Sequence, residues 1–461
     1  MKQEQLITLC QRHHAVLLNN AADELSIAVV GSPPGELMDS LRFATQKRID
    51  IECWTQERMD KYLQQLTPLT QSTPHERSDN AVDLLDHLLK QALVQRASDI
   101  HFEPTEHGLR VRLRVDGVLH PLAPISLPLM APLIARLKVL GGLDIAERRL
   151  PQDGQFTIDI ADKPLSFRLS TLPCRYGEKA VLRLLHKVEQ ALDLQRLGLS
   201  DRELTQLQSA LNQPQGLILV TGPTGSGKTV TLYSALQSRN RSDVNICSVE
   251  DPVEIPLEGL NQTQISPRAG LTFQNVLRAL LRQDPDIVMV GEIRDGETAE
   301  IAIKAAQTGH LVLSTLHTNS TVETLVRLEQ MGVARWMVSS ALLMVIAQRL
   351  VRRLCPHCRQ ISPGEQALPK SLWPRPLPRW TAPGCQHCYH GYQGRLALFE
   401  LLPITPGLRQ GIASGLSPAD LLRQAREAGM STLFENGCRA VEQGLTTQEE
   451  LLRVLGLPHD A

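Results

Sequence analysis

The chain is 461 residues long, 42% hydrophobic and 21% charged, which suits about three domains with sizeable cores. Its 48 Lys and Arg balance 49 Asp and Glu, which argues against a general nucleic-acid-binding face, and only 3% of residues are aromatic, which leaves little for base stacking, so no direct nucleic-acid contact is expected. The opening Met1-Lys-Gln-Glu-Gln-Leu-Ile has no apolar signal core, and no uncharged apolar run of about 18 residues occurs, so no transmembrane segment is expected. The chain reads as cytosolic, with any membrane contact made through a partner.

Residues 1 to about 66 read as a small mixed module. Strands are expected at 16–18 and 25–30, a turn at Gly31-Ser-Pro-Pro-Gly35, and helical spacing over 37–43 and 54–66. Nothing in it suits catalysis; docking is the expected role. A linker with Pro68, Ser72, Thr73 and Pro74 follows, placing the first boundary near 75.

The next unit, 76–195, opens with a helix whose apolar face holds Val82, Leu84, Leu85, Leu88, Leu89, Ala92 and Leu93. Leu109-Arg-Val-Arg-Leu-Arg-Val-Asp-Gly117 alternates strictly and sets Arg110, Arg112 and Arg114 on one strand face. Asp116-Gly117 is a hairpin signal, and 152–160, 165–169 and 179–185 continue an antiparallel sheet. Such arginines ordinarily line a solvated face.

From about 196 strands and helices alternate, as in a parallel α/β domain, with strands at 216–221, 244–249, 286–290 and 311–315. The tail from 400 reads as helical, with caps at Ser417 and Thr447.

The first strand runs into Gly222-Pro223-Thr224-Gly225-Ser226-Gly227-Lys228-Thr229 and then a helix. Strand, glycine-rich loop and helix N-terminus together make a phosphate cradle for a nucleoside triphosphate. Glycines let backbone N–H groups curl around phosphate oxygens, Lys228 reaches the β- and γ-phosphates, and the Thr229 hydroxyl suits Mg²⁺. The cofactors expected here are a nucleoside triphosphate and Mg²⁺.

Ligands of parallel sheets sit past the C-terminal strand ends. There the later strands deliver Glu250, Asp251 and Glu254, then Glu292 and Arg294, then His317. Orienting water on a γ-phosphate takes a carboxylate, and holding its charge takes a cation.

Cys355-Pro-His-Cys358 and Cys385-Gln-His-Cys388 are a second strong signal. Four thiolates at this spacing suit tetrahedral, structural Zn²⁺, stapling a Pro-rich insertion at about 350–395 that has little core of its own. Arg349, Arg352 and Arg353 beside it read as a solvated helix face. Cys10, Cys53, Cys174, Cys247 and Cys438 read as packing residues.

Four ordered stretches now carry a resemblance: Gly222 to Thr229, Glu250 to Glu254, Leu281 to Asp295, and Thr308 to Asn319. They look like the Walker A, Asp box, Walker B and His box of the secretion ATPase superfamily, and most resemble its assembly motors for type II secretion and type IV pili. The resemblance implies an α/β fold, a RecA-like P-loop ATPase domain at 196–461 with a four-cysteine zinc insertion. Before it would stand an α+β (PAS-like) antiparallel-sheet domain and a small N-terminal module. It implies ATP as the nucleotide and Glu292 as the residue orienting the attacking water, with Glu250, Asp251 and Glu254 serving Mg²⁺, although the residues alone leave the reverse open. His310 and His317 resemble box residues, each either structural or a γ-phosphate sensor. Arg168 and Arg183 align with the family's arginine fingers.

The resemblance further implies a homo-hexamer that drives pilin-like subunits through an inner-membrane platform protein, with a membrane-anchored protein docked by the N-terminal module. The alternatives are a DNA uptake or translocation ATPase and a nucleotide-gated structural subunit with little turnover.

Overall fold

In the computed structural model the described residues are 15–20, 24–31, 33, 35, 38, 41, 47–54, 80–160, 163–185 and 192–457. Most of the helical spacing read at 37–43 and 54–66, and the linker before Asn80, lies outside them; Trp54 itself ends a strand.

Three sheets follow one another. In the first, β1 (Val16–Asn20) pairs antiparallel with β2 (Glu24–Val30), which pairs parallel with β3 (Arg48–Trp54). Leu25, Ile27, Val29 and Leu41 are among its buried side chains.

The second sheet is wholly antiparallel. Its strands are β4 (Ala97–Thr105), β5 (Gly108–Val115), β6 (Val118–Pro121), β7 (Ile125–Ser126), β8 (Gln152–Ile160), β9 (Lys163–Cys174) and β10 (Gly177–Leu185). They run in the order β6-β5-β4-β10-β9-β8, with β7 on β5. The period of two on β5 decides its faces. Leu109, Val111 and Leu113 point into a core closed by the helices Ala81–Val94 and Leu127–Leu140, leaving Arg110, Arg112 and Arg114 on the other side.

The third sheet carries the phosphate loop. Its strands are β11 (Gly216–Thr221), β12 (Ile246–Glu250), β13 (Leu260–Gln264), β14 (Ile287–Val290), β15 (Leu311–Leu316), β16 (Leu342–Leu354) and β19 (Tyr392–Pro403). A two-stranded ribbon, β17 (Gln360–Gln366) and β18 (Leu377–Thr381), lies between β16 and β19 in sequence. The order is β13-β12-β14-β15-β11-β16-β19, with every pair parallel except β16 with β19. β11 and β15 are buried along their whole length, so their C-terminal ends form one protected edge.

Two expectations are corrected here. Arg349, Arg352 and Arg353 lie on the strand β16, not on a helix. Leu342 to Leu354 is covered on both faces, so it has no alternation to reveal a strand. Residues 400–403 likewise finish β19 before the helices of the tail begin at Pro406. Among the described residues no helix is long and apolar enough to cross a membrane.

Candidate nucleotide site and metal centre

β11 ends at Thr221, and the chain turns through Gly222, Gly225 and Gly227 at φ 149°, 81° and 90° into the helix Lys228–Arg239. A side chain at Gly222 would put Cβ 2.5 Å from the Gln348 carbonyl oxygen, so glycine is required for close approach as well as for φ. The buried Ser226 hydroxyl has no hydrogen-bond partner among the described residues, as befits a donor aimed into an anion cradle. Lys228 folds back on its own loop, its Nζ donating to the carbonyls of Gly222 at 2.7 Å and Pro223 at 3.1 Å. Burial pulls its ammonium down to about 8, against the raising charge of Glu292 and with Arg349 lowering it further.

The carboxylates past the neighbouring strands divide into two kinds. Glu250 is buried, and its oxygens accept from Ser248 Oγ at 2.6 Å, from Gln262 Nε2 at 3.1 Å and from the Tyr233 hydroxyl. Those bonds lock the end of β12 to the phosphate-loop helix. Asp251 and Glu254 are exposed, and Asp251 lies 3.7 Å from the Arg294 guanidinium.

Glu292 stands between Arg294, which donates to its Oε1, and His317, whose Nε2 is 3.4 Å from its Oε2. Burial would lift the Glu292 carboxyl, but Arg294 and His317 outweigh it and hold it below the usual range, so Glu292 is ionised at neutral pH. Lys228, Glu292, Arg294 and His317 therefore gather at one edge of the sheet. His310 does not join them. It precedes β15, its carbonyl accepts from Gly216 N at the start of β11, and its ring meets the Ala305 carbonyl at 3.1 Å.

Arg168 and Arg183 face each other across β9 and β10. Arg183 donates to Asp99 at 2.8 Å and Arg168 lies 3.9 Å from Asp153, with both guanidinium groups largely exposed. Neither ion pair involves the phosphate loop of the same chain.

The four cysteines of the insertion place their sulfurs within 4.8 Å of one another. Cys355 and Cys385 are 3.7 Å apart, Cys358 and Cys388 3.8 Å, and Cys385 and Cys388 3.7 Å. Four sulfurs about 2.3 Å from a tetrahedral centre would lie about 3.8 Å apart, whereas a disulfide needs about 2 Å. The donor set therefore fits zinc. The insertion also shares a core: Leu368, Trp373 and Leu377 pack with Leu433, Phe434, Val441 and Leu451 of the C-terminal helices. Of the other cysteines, Cys247 and Cys438 are buried packing residues, but Cys53 and Cys174 are exposed, correcting that expectation, and Cys10 lies outside the described residues.

The family described as type II/IV secretion system protein matches residues 75–453. The chain belongs to that family. It is 64% identical over 459 residues to the protein transport protein HofB homolog of Escherichia coli (strain K12), spanning 100% of both chains. To the type IV pilus assembly ATPase PilB of Pseudomonas aeruginosa it is 46% identical over 397 residues, 84% of this chain and 69% of PilB. To the type II secretion system protein E of Dickeya dadantii it is 47% identical over 376 residues, 81% of this chain and 75% of that protein. Among solved structures, the pilus retraction motor PilT with bound ADP superposes with a TM-score of 0.54 at 27% identity, covering 82% of this chain and 97% of PilT. The ATPase DotB of Legionella pneumophila shares the fold, with a TM-score of 0.60 at 22% identity over 81% of this chain and 95% of DotB.

As a secretion ATPase, the chain hydrolyses ATP and uses Mg²⁺ with it, as an assembly-type motor for pili or secretion. Three polar residues of this lobe have roles that their local sequence does not reveal. Gln348 accepts from Thr231 Oγ1 at 2.7 Å and sits under Gly222 and Gly227. Arg349 donates to Asn319, and Glu400 accepts from the N–H and hydroxyl of Thr321 and from Leu433 N. All three lie on β16 and β19, and only their strand assignment would have pointed to the nucleotide edge.

Proposed function

We propose that this secretion ATPase works in the cytoplasm as a homo-hexamer, driving assembly of pilin-like subunits through an inner-membrane platform protein. Residues 1–75 would be its docking module, 76–195 the arginine-bearing sheet domain and 196–461 the ATPase domain. The observation that carries the reading is the meeting of Lys228, Glu292, Arg294 and His317 at one sheet edge.

ATP is the substrate. Backbone N–H groups of 222–229 and the Ser226 hydroxyl hold its phosphates, while Lys228 leaves its loop carbonyls for the β- and γ-phosphates. Thr229, Asp251 and Glu254 offer the hard oxygens Mg²⁺ prefers, and the ion would neutralise phosphate charge. Glu292, ionised and buttressed by Arg294, orients the attacking water, and His317 monitors the γ-phosphate. Glu250 acts by position, anchoring Tyr233 and thereby the loop helix. Exposed on another domain, Arg168 and Arg183 suit a neighbouring subunit's site. Zn²⁺ on Cys355, Cys358, Cys385 and Cys388 would be structural.

Turnover of the purified protein tests this. Wild type should hydrolyse ATP, with Lys228→Ala and Glu292→Gln each reduced about a hundredfold or more. If all three hydrolyse equally slowly, the motor reading fails. Stimulation by DNA would favour a translocase instead.

A further inference from the structure

Two consecutive residues of β16 divide the nucleotide edge between them. β16 runs parallel beside β11, with Thr221 opposite Ala347, so residues 348 and 349 emerge just where the phosphate loop begins. Gln348 sits beneath the loop and holds Thr231. Arg349 turns the other way, to the stretch that follows β15, where its Nη2 donates to both the backbone oxygen and the Oδ1 of Asn319 at 3.1 Å. Its Nη1 donates to the Gln348 carbonyl at 2.9 Å.

Arg349 is only 8% exposed, and its hydrogen-bond partners among the described residues are all neutral oxygens. Glu323 and Glu400 act on it only through longer-range charge, and burial outweighs them. Burying a guanidinium without a contacting counter-ion is costly, and a neutral side chain would fill the same space with less penalty. What guanidinium adds is a planar fork that fixes two acceptors at once. Here one arm, Nη2, holds both oxygens of Asn319 while the other, Nη1, holds the Gln348 carbonyl, so the fork ties the loop to β16.

The loop held this way starts with His317. Thr318 is tied to the phosphate-loop strand by Thr221, whose Oγ1 accepts from Thr318 N at 2.9 Å and meets its Oγ1 at 2.7 Å. Asn319 is tied to β16 by Arg349, and Ser320 caps the next helix. His317 itself is about half exposed, and its one charged contact among the described residues is Glu292. Its aim must therefore come from the backbone after it. We propose that Arg349 is a positioning residue: it pins the loop 317–320 to the strand that also carries the phosphate-loop support, and so fixes where His317 stands relative to the γ-phosphate. β16 thereby acts as a rigid spacer between the two loops.

The effect on nucleotides rests on the reading of His317 as the γ-phosphate monitor; the pinning of the loop does not. The test uses the full chain with Arg349→Gln, Arg349→Lys, His317→Ala and the Arg349→Gln, His317→Ala double variant. Backbone hydrogen exchange over 317–320 reports pinning. The ratio of ATPγS to ADP affinity, with kcat and KM, reports the consequence.

Arg349→Gln should speed exchange at 317–320 about tenfold while the phosphate loop stays protected. Its preference for ATPγS should fall as far as that of His317→Ala, with ADP affinity within about threefold of wild type and the loss in kcat rather than KM. The double variant should be no worse than the worse single variant, because both remove one function. Arg349→Lys keeps the charge without the fork and should recover only part of the protection.

Unchanged exchange at 317–320 in both Arg349 variants overturns the pinning. If His317→Ala lowers the preference but Arg349→Gln only lowers the melting temperature, with kcat and nucleotide preference untouched, the proposal is also overturned, since that is what packing alone would give. If exchange rises but His317→Ala keeps the wild-type preference, Arg349 still pins the loop and the γ-phosphate role of His317 is what falls.

Discussion

The four sulfurs of Cys355, Cys358, Cys385 and Cys388 converge within 4.8 Å using one chain and one insertion. Lys228, at the edge of the same lobe's sheet, rests instead on the carbonyls of its own loop. The arginines expected to complete its site stand on another sheet, paired with Asp99 and Asp153. The four-cysteine site is thus closed within one chain, whereas the nucleotide site as proposed draws its arginines from elsewhere. A structural site gains from being closed; a site that must turn over gains from groups that arrive only in the active arrangement.

The largest effect that could break this contrast concerns the arginines. Arg183→Ala or Arg168→Ala should reduce kcat about a thousandfold while nucleotide binding is retained, since fingers act on charge developing in the transition state. Mixing Arg183→Ala with Lys228→Ala should recover activity, because one variant supplies intact loops and the other intact arginines. Failure to recover any activity, with mixed oligomers demonstrated, would mean that the fingers serve their own chain.

Next in size is metal removal. Chelation, or Cys355→Ser, should cost on the order of 3 kcal/mol, lowering the melting temperature by about 6–12 °C for a domain of this size. Because the insertion packs its Trp373 and Leu377 on Leu433, Phe434 and Leu451, the loss should spread into the C-terminal helices. Calorimetry that leaves the transition in place after zinc release would show that shared packing alone suffices.

The same contrast explains what could be read from sequence. The phosphate loop and the cysteine pairs are local, so spacing alone exposes them. The period of two on β5 is equally local, and it sorts Leu109, Val111 and Leu113 from the arginines between them. β16 was hidden because both of its faces are covered, which erases the alternation that marks a half-exposed strand. Gln348, Arg349 and Glu400 matter through partners far along the chain, Thr231, Asn319 and Thr321, and no short window contains both members of such a pair. His310 is ambiguous in sequence for the same reason: only the direction of β15 puts it at the opposite edge from the phosphate loop.

A smaller effect follows from the state of Lys228. Burial holds its ammonium down at about 8, so raising the pH through that value discharges the site before nucleotide arrives. Bound phosphate favours the charged form, so binding must take up a proton above that point. Affinity for ADP should be flat below about pH 8 and fall up to tenfold per unit above it. Lys228→Arg, which stays charged, should flatten the profile even if it binds less well.

The smallest effect probes a contact between the four-cysteine insertion and the arginine-bearing sheet. Asp116, in the turn between β5 and β6, accepts from Gly394 N at 2.9 Å. Next to it the His120 ring meets Tyr389 edge-on at 4.7 Å and stacks on His390 at 5.4 Å. Tyr389 follows Cys388 directly, so the four-cysteine insertion touches the sheet that carries Arg168 and Arg183. Asp116 sits at φ 48°, a conformation that glycine and asparagine tolerate. Asp116→Gly therefore removes the acceptor without backbone strain and should cost about 1 kcal/mol, while Asp116→Asn, still an acceptor, should cost less. The measurement is hydrogen exchange at the Gly394 amide, which should rise about fivefold in Asp116→Gly and further on chelation. An amide that exchanges at the wild-type rate in both would leave the four-cysteine insertion a staple of its own domain only. A rise in both would mean that closing the metal site also sets where the sheet bearing the arginines can stand.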